Sequence, residues 1–222
     1  MEIPLFPLPN LVLFPHVVVP LHIFEERYKL MINACIDRDE PFGLVLLRSG
    51  AETESEETIH RVGVTARVVQ VERLETGRMN ILTEGESRFR IRRFTQHDPY
   101  WMGFVEFFED DASQHSTEAL SDQVSVLYGK VTELGAKLSG SEESDTELPE
   151  SAVDLSYMVS YVLDIDSEAK QKLLEITSTA ERLRVLISHL DETIKNLEQQ
   201  IAYKALIHKV RGNGDLGKPK DI

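Results

Sequence analysis

The amino-terminal segment constrains the fold more than any other part of the chain. Apolar residues alternate with prolines over Ile3-Pro-Leu-Phe-Pro-Leu-Pro-Asn-Leu-Val-Leu-Phe-Pro15. Each proline removes a backbone donor, so we expect extended pieces at 2–6, 11–14 and 17–20 that lie at sheet edges or in irregular positions. The pattern then changes to helical spacing, which predicts a helix over 24–36.

The rest of the first half is typical of short β-strands. Runs at 42–47, 62–71, 79–83, 88–92 and 101–108 are apolar or alternate polar with apolar, and an acidic loop covers 49–58. Gly77 predicts a hairpin turn, and Gly85 predicts a second break. Several short strands with regular turn signals indicate a small barrel or sandwich.

The second half is typical of helices. Helices are predicted from Ser116 to about Leu138, from Pro149, from Asp166 or Ser167, and from Ser178, where Glu181 completes a capping box. The last helix carries apolar residues at spacings of four and three: Leu183, Ile187, Leu190, Ile194, Leu197 and Ile201. That seam favours packing on the other helices, with a homodimer through the 183–201 helix as the alternative.

The pattern predicts an α+β protein with three parts. They are a β domain at 1–110, a helical domain at 115–210 and a flexible tail at 211–222.

Composition excludes several classes of function. The net charge of −14 argues against nucleic acids and anionic membranes, which are bound by clustered Lys and Arg. The one cysteine, Cys35, lies among apolar neighbours, which predicts a buried and inert thiol. The first residues lack the basic region of a signal peptide, and no apolar run reaches about 20 residues. We therefore expect a cytoplasmic location.

Four segments together resemble the amino-terminal, substrate-binding domain family of the ATP-dependent protease Lon. They are Pro4 to Pro15 with Pro20 to Tyr28, Gly63 to Val69, Gly77 to Leu82 with Gly85 to Ile91, and Lys170 to Glu175 with Arg182-Leu183. The resemblance implies a PUA-like small β-barrel followed by a helical bundle that ends in a long helix. It implies a non-enzymatic protein that binds unfolded or degron-bearing polypeptides and acts as an adaptor or regulator in protein turnover, with a separate protease as a further partner.

The apolar opening supplies the candidate peptide-binding residues. Two proline-broken strands are too short to bury all of its large side chains, and exposed apolar patches commonly mark interaction sites. The candidates are Leu5, Phe6, Leu8, Leu11 and Phe14. The alternative is that most of them fill one end of the barrel. Replacing Phe6 or Phe14 by a charged residue is expected to lower peptide binding without unfolding the domain.

Arg88, Arg90 and Arg92 share one face of a predicted strand. They define the alternative function, a PUA-like RNA-binding module, although a solvated face with acidic partners is favoured by the overall charge. A small-molecule sensor at the barrel mouth ranks last, because the sequence has no ligand fingerprint.

The motifs predict neither an active site nor a cofactor. Gly212 to Lys218 matches the spacing of a phosphate-binding loop, but Pro219 stands where Ser or Thr would hold magnesium, and a helix precedes. His22 with Glu25 is the nearest approach to a metal-ligand pair, and a metal needs three or four converging ligands. We therefore expect no metal and no cofactor.

Overall fold

The computed structural model describes residues 1–48, 50–51, 53–75, 77–111, 117–141 and 147–212, with side chains up to 207. Six strands are followed by four helices, and one further helix lies between the second and third strands. The elements are β1 (Glu2–Leu8), β2 (Val18–Ile23), α1 (Glu26–Arg38), β3 (Phe42–Leu47), β4 (Ile59–Arg73), β5 (Met79–Gln96), β6 (Trp101–Phe107), α2 (Glu118–Ser139), α3 (Ala152–Val162), α4 (Ser167–Glu175) and α5 (Thr179–Gly212). The predicted α+β plan is confirmed.

The strands form a mixed sheet that closes on itself. Its order is β2-β5-β4-β3-β1-β6, and β5 also pairs with β6, so five strands form a closed barrel. The long β5 makes this possible, since residues 79–84 pair with β2 and residues 89–96 pair with β6. The β2 strand and the outer parts of β4 and β5 extend beyond the barrel as a three-stranded sheet.

The placement of β1 corrects the expectation that its prolines confine it to an edge. This strand is part of the barrel wall and has a neighbour on each side: it is antiparallel to β6 and parallel to β3. The register explains why prolines are tolerated there. Residues 2–5 pair with β6 and residues 5–8 pair with β3, so Pro4 and Pro7 each have one side without a ladder partner. Residues 11–14 form no strand.

Gly85 also behaves differently from the expectation, because β5 runs through it without a break. The glycine permits close contact with the amino-terminal segment. Its carbonyl accepts a bond from His16 N at 2.8 Å and its N–H donates to Val17 O at 2.9 Å. A Cβ atom at this position would lie 2.3 Å from Phe14 O, so the contact requires glycine.

The first helix begins two residues later than predicted and covers the extension. Its buried residues are Tyr28, Met31, Ile32 and Cys35, as the periodicity indicated. Burial raises the pKa of the Cys35 thiol to about 11. The thiol is therefore protonated at neutral pH, in agreement with an inert, buried cysteine.

Caps set the starts of the later helices. Ser151 Oγ accepts a bond from Asp154 N, so α3 begins three residues after the predicted Pro149. Asp166 and Ser178 accept bonds from Ala169 N and Glu181 N, which confirms those two predicted starts.

The α2 and α5 helices lie side by side in the same direction. Lys130 pairs with Glu198 at 2.8 Å, and Lys204 Nζ donates to Leu138 O at 2.7 Å. In the predicted seam, Leu183 and Leu190 are fully buried within the chain, whereas Leu197 and Ile201 are partly exposed. The first half of the seam thus packs internally, and a dimer through its second half stays a prediction.

One hydrophobic cluster joins the barrel to the helices. It contains Phe14 and Val64 from the β part together with Leu155, Leu173 and Leu183 from the helices. A second, smaller cluster lies around Phe89 and Trp101 inside the barrel. The boundaries predicted at 110 and 115 stay predictions, and most of the predicted tail, 213–222, lies outside the described residues.

Candidate functional site

The amino-terminal candidates divide by burial. Leu5, Phe6 and Phe14 are at most 4% exposed and belong to the core. In this conformation their side chains are covered, and a charged residue at Phe6 or Phe14 would be buried at a cost to stability. Loss of peptide binding without unfolding in such variants stays a prediction. Leu8 and Leu11 are only partly buried. They flank a turn in which Asn10 has a φ of 60°, a conformation that asparagine tolerates.

A cleft of about 550 Å³ opens beside this turn. Both apolar and polar side chains line it, as is common in ligand sites. Its lining comprises Pro9, Arg27, Leu47, Ala51, Thr53, Glu54, His97 and Trp101. We call it the β1 cleft, because Pro9 directly follows β1; Leu8 and Leu11 lie on either side of Pro9 and Asn10 in sequence.

Glu54 organises the wall of the β1 cleft. Its carboxylate accepts two hydrogen bonds from the Arg27 guanidinium, at 2.9 and 2.6 Å. It also accepts one from the Tyr28 hydroxyl and one from the Trp101 indole, each at 2.9 Å. Burial, followed by the Glu54 charge, raises the pKa of Tyr28 above its ordinary value. The acidic loop is thus attached to α1 and β6 by a single carboxylate.

A second group of polar residues is buried between the barrel and the helices. Asp110, which follows β6, accepts bonds from Arg88 on β5 and from Arg182 on α5. Both arginine side chains are at most 1% exposed. Arg88 also donates to Leu174 O and Ile176 O, at 3.0 and 2.7 Å. We call this group the Asp110 cluster.

The Asp110 cluster also contains further contacts for the Arg182 side chain. Arg182 Nε donates to Ser156 Oγ at 2.8 Å, and its guanidinium stacks 4.2 Å from the Tyr157 ring centroid. Burial would raise the pKa of Asp110, but hydrogen bonds from Arg182 and Thr179 hold it below its ordinary value. The carboxylate is therefore ionised at neutral pH and joins three elements.

We call Arg88, Arg90 and Arg92 the arginine stripe, and the structure corrects the sequence interpretation at Arg88. It was expected on a solvated face with Arg90 and Arg92, but the α4–α5 junction covers its end of β5. Arg90 and Arg92 are exposed, and Arg92 pairs with Glu106. Periodicity places Arg88 on the outer face correctly, but it contains no information about which part of that face another element covers.

The sequence interpretation also missed aromatic side chains beside the stripe. The neighbouring strand, β6, contributes Phe104, which is 42% exposed and lies under the Arg93 guanidinium at 5.5 Å. Phe107 on the same strand is 43% exposed. Only strand pairing brings them to the arginines, so the alternation within β5 could not show them.

Nothing described resembles a metal centre. Within the described ranges, no three or more His, Cys, Asp or Glu side chains converge on one point. His22 Nδ1 lies 2.7 Å from Asn80 Oδ1 rather than beside Glu25. None of the described helices is both long and apolar enough to cross a bilayer.

The chain folds as a closed five-stranded barrel followed by four helices. The chain matches the model of the ATP-dependent protease La (LON) substrate-binding domain over residues 2–192, and it belongs to that family.

Curated relatives agree with this assignment. The chain is 31% identical to Lon protease 2 of Herpetosiphon aurantiacus over 201 residues, which cover 89% of this chain and 24% of the relative. It is 26% identical to the Lon protease of Syntrophus aciditrophicus over 202 residues, covering 88% of this chain and 26% of that protein. The chain thus spans about a quarter of the length of these relatives.

Solved structures share the fold. The Lon N-terminal domain protein from Xanthomonas campestris superposes with a TM-score of 0.64 at 21% identity, covering 85% of this chain and 98% of that one. The N-terminal domain of the Mycobacterium avium complex Lon protease superposes with a TM-score of 0.62 at 20% identity, covering 86% of this chain and 98% of that one. The predicted resemblance is confirmed.

Proposed function

We propose that this protein binds unfolded or degron-bearing polypeptides without acting on them chemically, as a cytoplasmic adaptor or regulator in protein turnover. Membership of a substrate-binding family supports the ligand class. The observation that carries the proposal is the β1 cleft, where partly exposed leucines adjoin a rim of fixed hydrogen-bonding groups. Such a surface suits apolar side chains of an extended chain, while its polar rim binds the main chain.

The proposal assigns ligand contact to the partly exposed residues of the amino-terminal segment. Leu8 and Leu11 would contact the ligand, and Trp101 and Leu47 would form the floor of the cleft. Leu5, Phe6 and Phe14 would support that surface from within the core. In this proposal a separate protease receives the bound chain.

Trp101 provides a direct test, because it is the only tryptophan in the chain and lies in the cleft. We would titrate the protein with a tryptophan-free globular protein that has been reduced and carbamidomethylated, and follow the emission of Trp101. Saturable change with the unfolded ligand and none with its native form is expected. Equal response to both forms, or to neither, would contradict the proposal.

Matched variants locate the site. Leu11→Asp, and separately Leu8→Ser, should weaken binding by about tenfold or more, since each removes apolar contact area. Val126→Asp is the control, because Val126 is 73% exposed on α2 and lies away from the cleft. A thermal melt of each variant separates lost binding from lost folding.

A second candidate function rests on the exposed aromatic side chains beside the stripe. Arg90, Arg92 and Arg93 with Phe104 could stack and pair with single-stranded RNA. Replacing the three arginines by glutamine should then abolish a salt-sensitive affinity for RNA. The pairing of Arg92 with Glu106 and the net charge of −14 make this the weaker candidate.

A further inference from the structure

The outer part of β4 has a free edge. Pairing with β3 starts from Ala66 and runs back to Ile59, whereas residues 67–73 pair with β5 alone. Outside the strand ladders, none of the backbone hydrogen bonds among the described residues involves the main chain of 67–73. An edge of this kind presents unpaired N–H and C=O groups and is a template for another strand.

A groove runs along this edge, between β4 and the end of α1. Arg67 Nη1 donates to Asp39 O and Oδ1, each at 3.0 Å, and Arg73 Nη1 donates to Asn33 Oδ1 at 2.9 Å. These two arginines hold the helix beside the strand at both ends. The space between them has a volume of about 230 Å³ and is lined by Cys35, Ile36, Asp39, Glu40 and residues 67–71.

The opposite edge of the extension, on β2, is unsuited to the same role. Pro20 occupies its centre and has no backbone donor, and proline is a common means of blocking an edge strand. The β4 segment Arg67-Val-Val-Gln-Val71 has no proline and is rich in β-branched residues. Val69 is 50% exposed and has no β5 partner in the register, so an apolar side chain is presented at the groove.

Charge indicates which chains the groove accepts. Asp39 and Glu40 are exposed at the carboxyl end of α1, where the helix dipole adds negative potential. The one cation in the lining, Arg67, is already paired with Glu86 and Asp39. The net charge of the groove lining is therefore negative, which complements a lysine or arginine of the ligand.

We propose that the edge of β4 at 67–71 binds an extended polypeptide segment as an added strand. The segment is aliphatic and carries a basic residue that pairs with Glu40. This inference rests on the proposed function, because the ligand is again an unfolded polypeptide, but it assigns a different surface. At β4 the affinity comes from main-chain hydrogen bonds, as in other complexes formed by strand addition. At the β1 cleft it comes from side-chain contacts.

The probe is a short synthetic peptide of alternating valine and threonine with a lysine at each end. Hydrogen exchange read by mass spectrometry should show slower exchange of 67–73 in its presence, with 18–23 unchanged. The same peptide, N-methylated at alternate residues so that its donors on one edge are lost, should bind about tenfold or more weakly for one of the two methylation patterns. A version with glutamates in place of lysines should also bind more weakly.

Two variants with matched controls complete the test. Val69→Asp and Glu40→Lys should each weaken peptide binding, whereas Val126→Asp and Glu133→Lys, both on exposed positions of α2, should not. Equal binding by Val69→Asp and Val126→Asp, or a peptide that binds without protecting 67–73, would overturn the inference. The short peptide could protect 67–73 from exchange while the unfolded protein causes no change in Trp101 emission. That combination would support binding at the groove and count against the proposed function.

Discussion

Arg182 donates two hydrogen bonds to the carboxylate of Asp110, although 72 residues separate them in sequence. The first residue belongs to the long helix α5 and the second follows the last strand of the barrel. Because Asp110 also accepts a bond from Arg88 on β5, one carboxylate fixes the orientation of the helices on the barrel. Removing one partner of such a buried group leaves the remaining charges uncompensated in a low-dielectric environment.

Asp110→Asn should therefore destabilise the protein by about 3–5 kcal/mol, since it leaves two buried guanidinium groups without a counter-charge. Urea unfolding followed by circular dichroism measures this difference. Glu106→Gln is the control, because it breaks the exposed pair with Arg92 and should change stability by less than about 1 kcal/mol. Similar effects of the two substitutions would show that the Asp110 cluster has no special role.

Lowering the pH should remove the stability that the ionised Asp110 carboxylate contributes. The pKa of Asp110 lies below its ordinary value of 3.8 in the folded protein, so the folded state favours the ionised form. Stability from this group is then fully present above about pH 4 and is lost as the pH falls through the lower, folded pKa. The stability difference between the wild type and Asp110→Asn should shrink over that range. A difference that stays constant from pH 6 to pH 3 would be inconsistent with it.

Gly85→Ala should destabilise the protein by about 1–3 kcal/mol, because the added Cβ would lie 2.3 Å from Phe14 O. Gly129→Ala is a matched control on α2, where a Cβ meets nothing within 4 Å. There the same change should stabilise by about 0.5–1 kcal/mol, through helix propensity. Thermal melts of the two variants should shift in opposite directions, and shifts of one sign would refute the close contact at Phe14.

Glu54→Gln should loosen the wall of the β1 cleft. The amide retains one acceptor oxygen but loses the charge that holds Arg27, and it presents donors towards the Trp101 indole. We expect altered tryptophan emission and faster proteolysis within 48–58, with little change in the melting temperature. Glu56→Gln is the control, since Glu56 forms an exposed pair with Arg61 at 3.7 Å. Identical digestion of both variants would argue that Glu54 does not anchor the loop.

Local patterns predicted the parts of the fold that depend on neighbouring residues. The periodicity of Tyr28, Met31 and Ile32 located a helix face, and the caps at Asp166 and Ser178 located two helix starts. The order of motifs along the chain predicted the family and, through it, the barrel. The candidate site was predicted less well, because Phe6 is buried against Tyr28 and Phe42, and Phe14 is buried where the amino-terminal segment crosses β5.

The sequence by itself thus determined most of the element types, the α+β plan, the family and the inert character of Cys35. Only the tertiary structure decided that β1 is an interior strand, that Arg88 is buried under α4 and α5, and that β4 has a free edge beside α1. The reason is physical. Propensity and periodicity act between residues a few positions apart, whereas burial and edge exposure depend on which distant segment covers a given face.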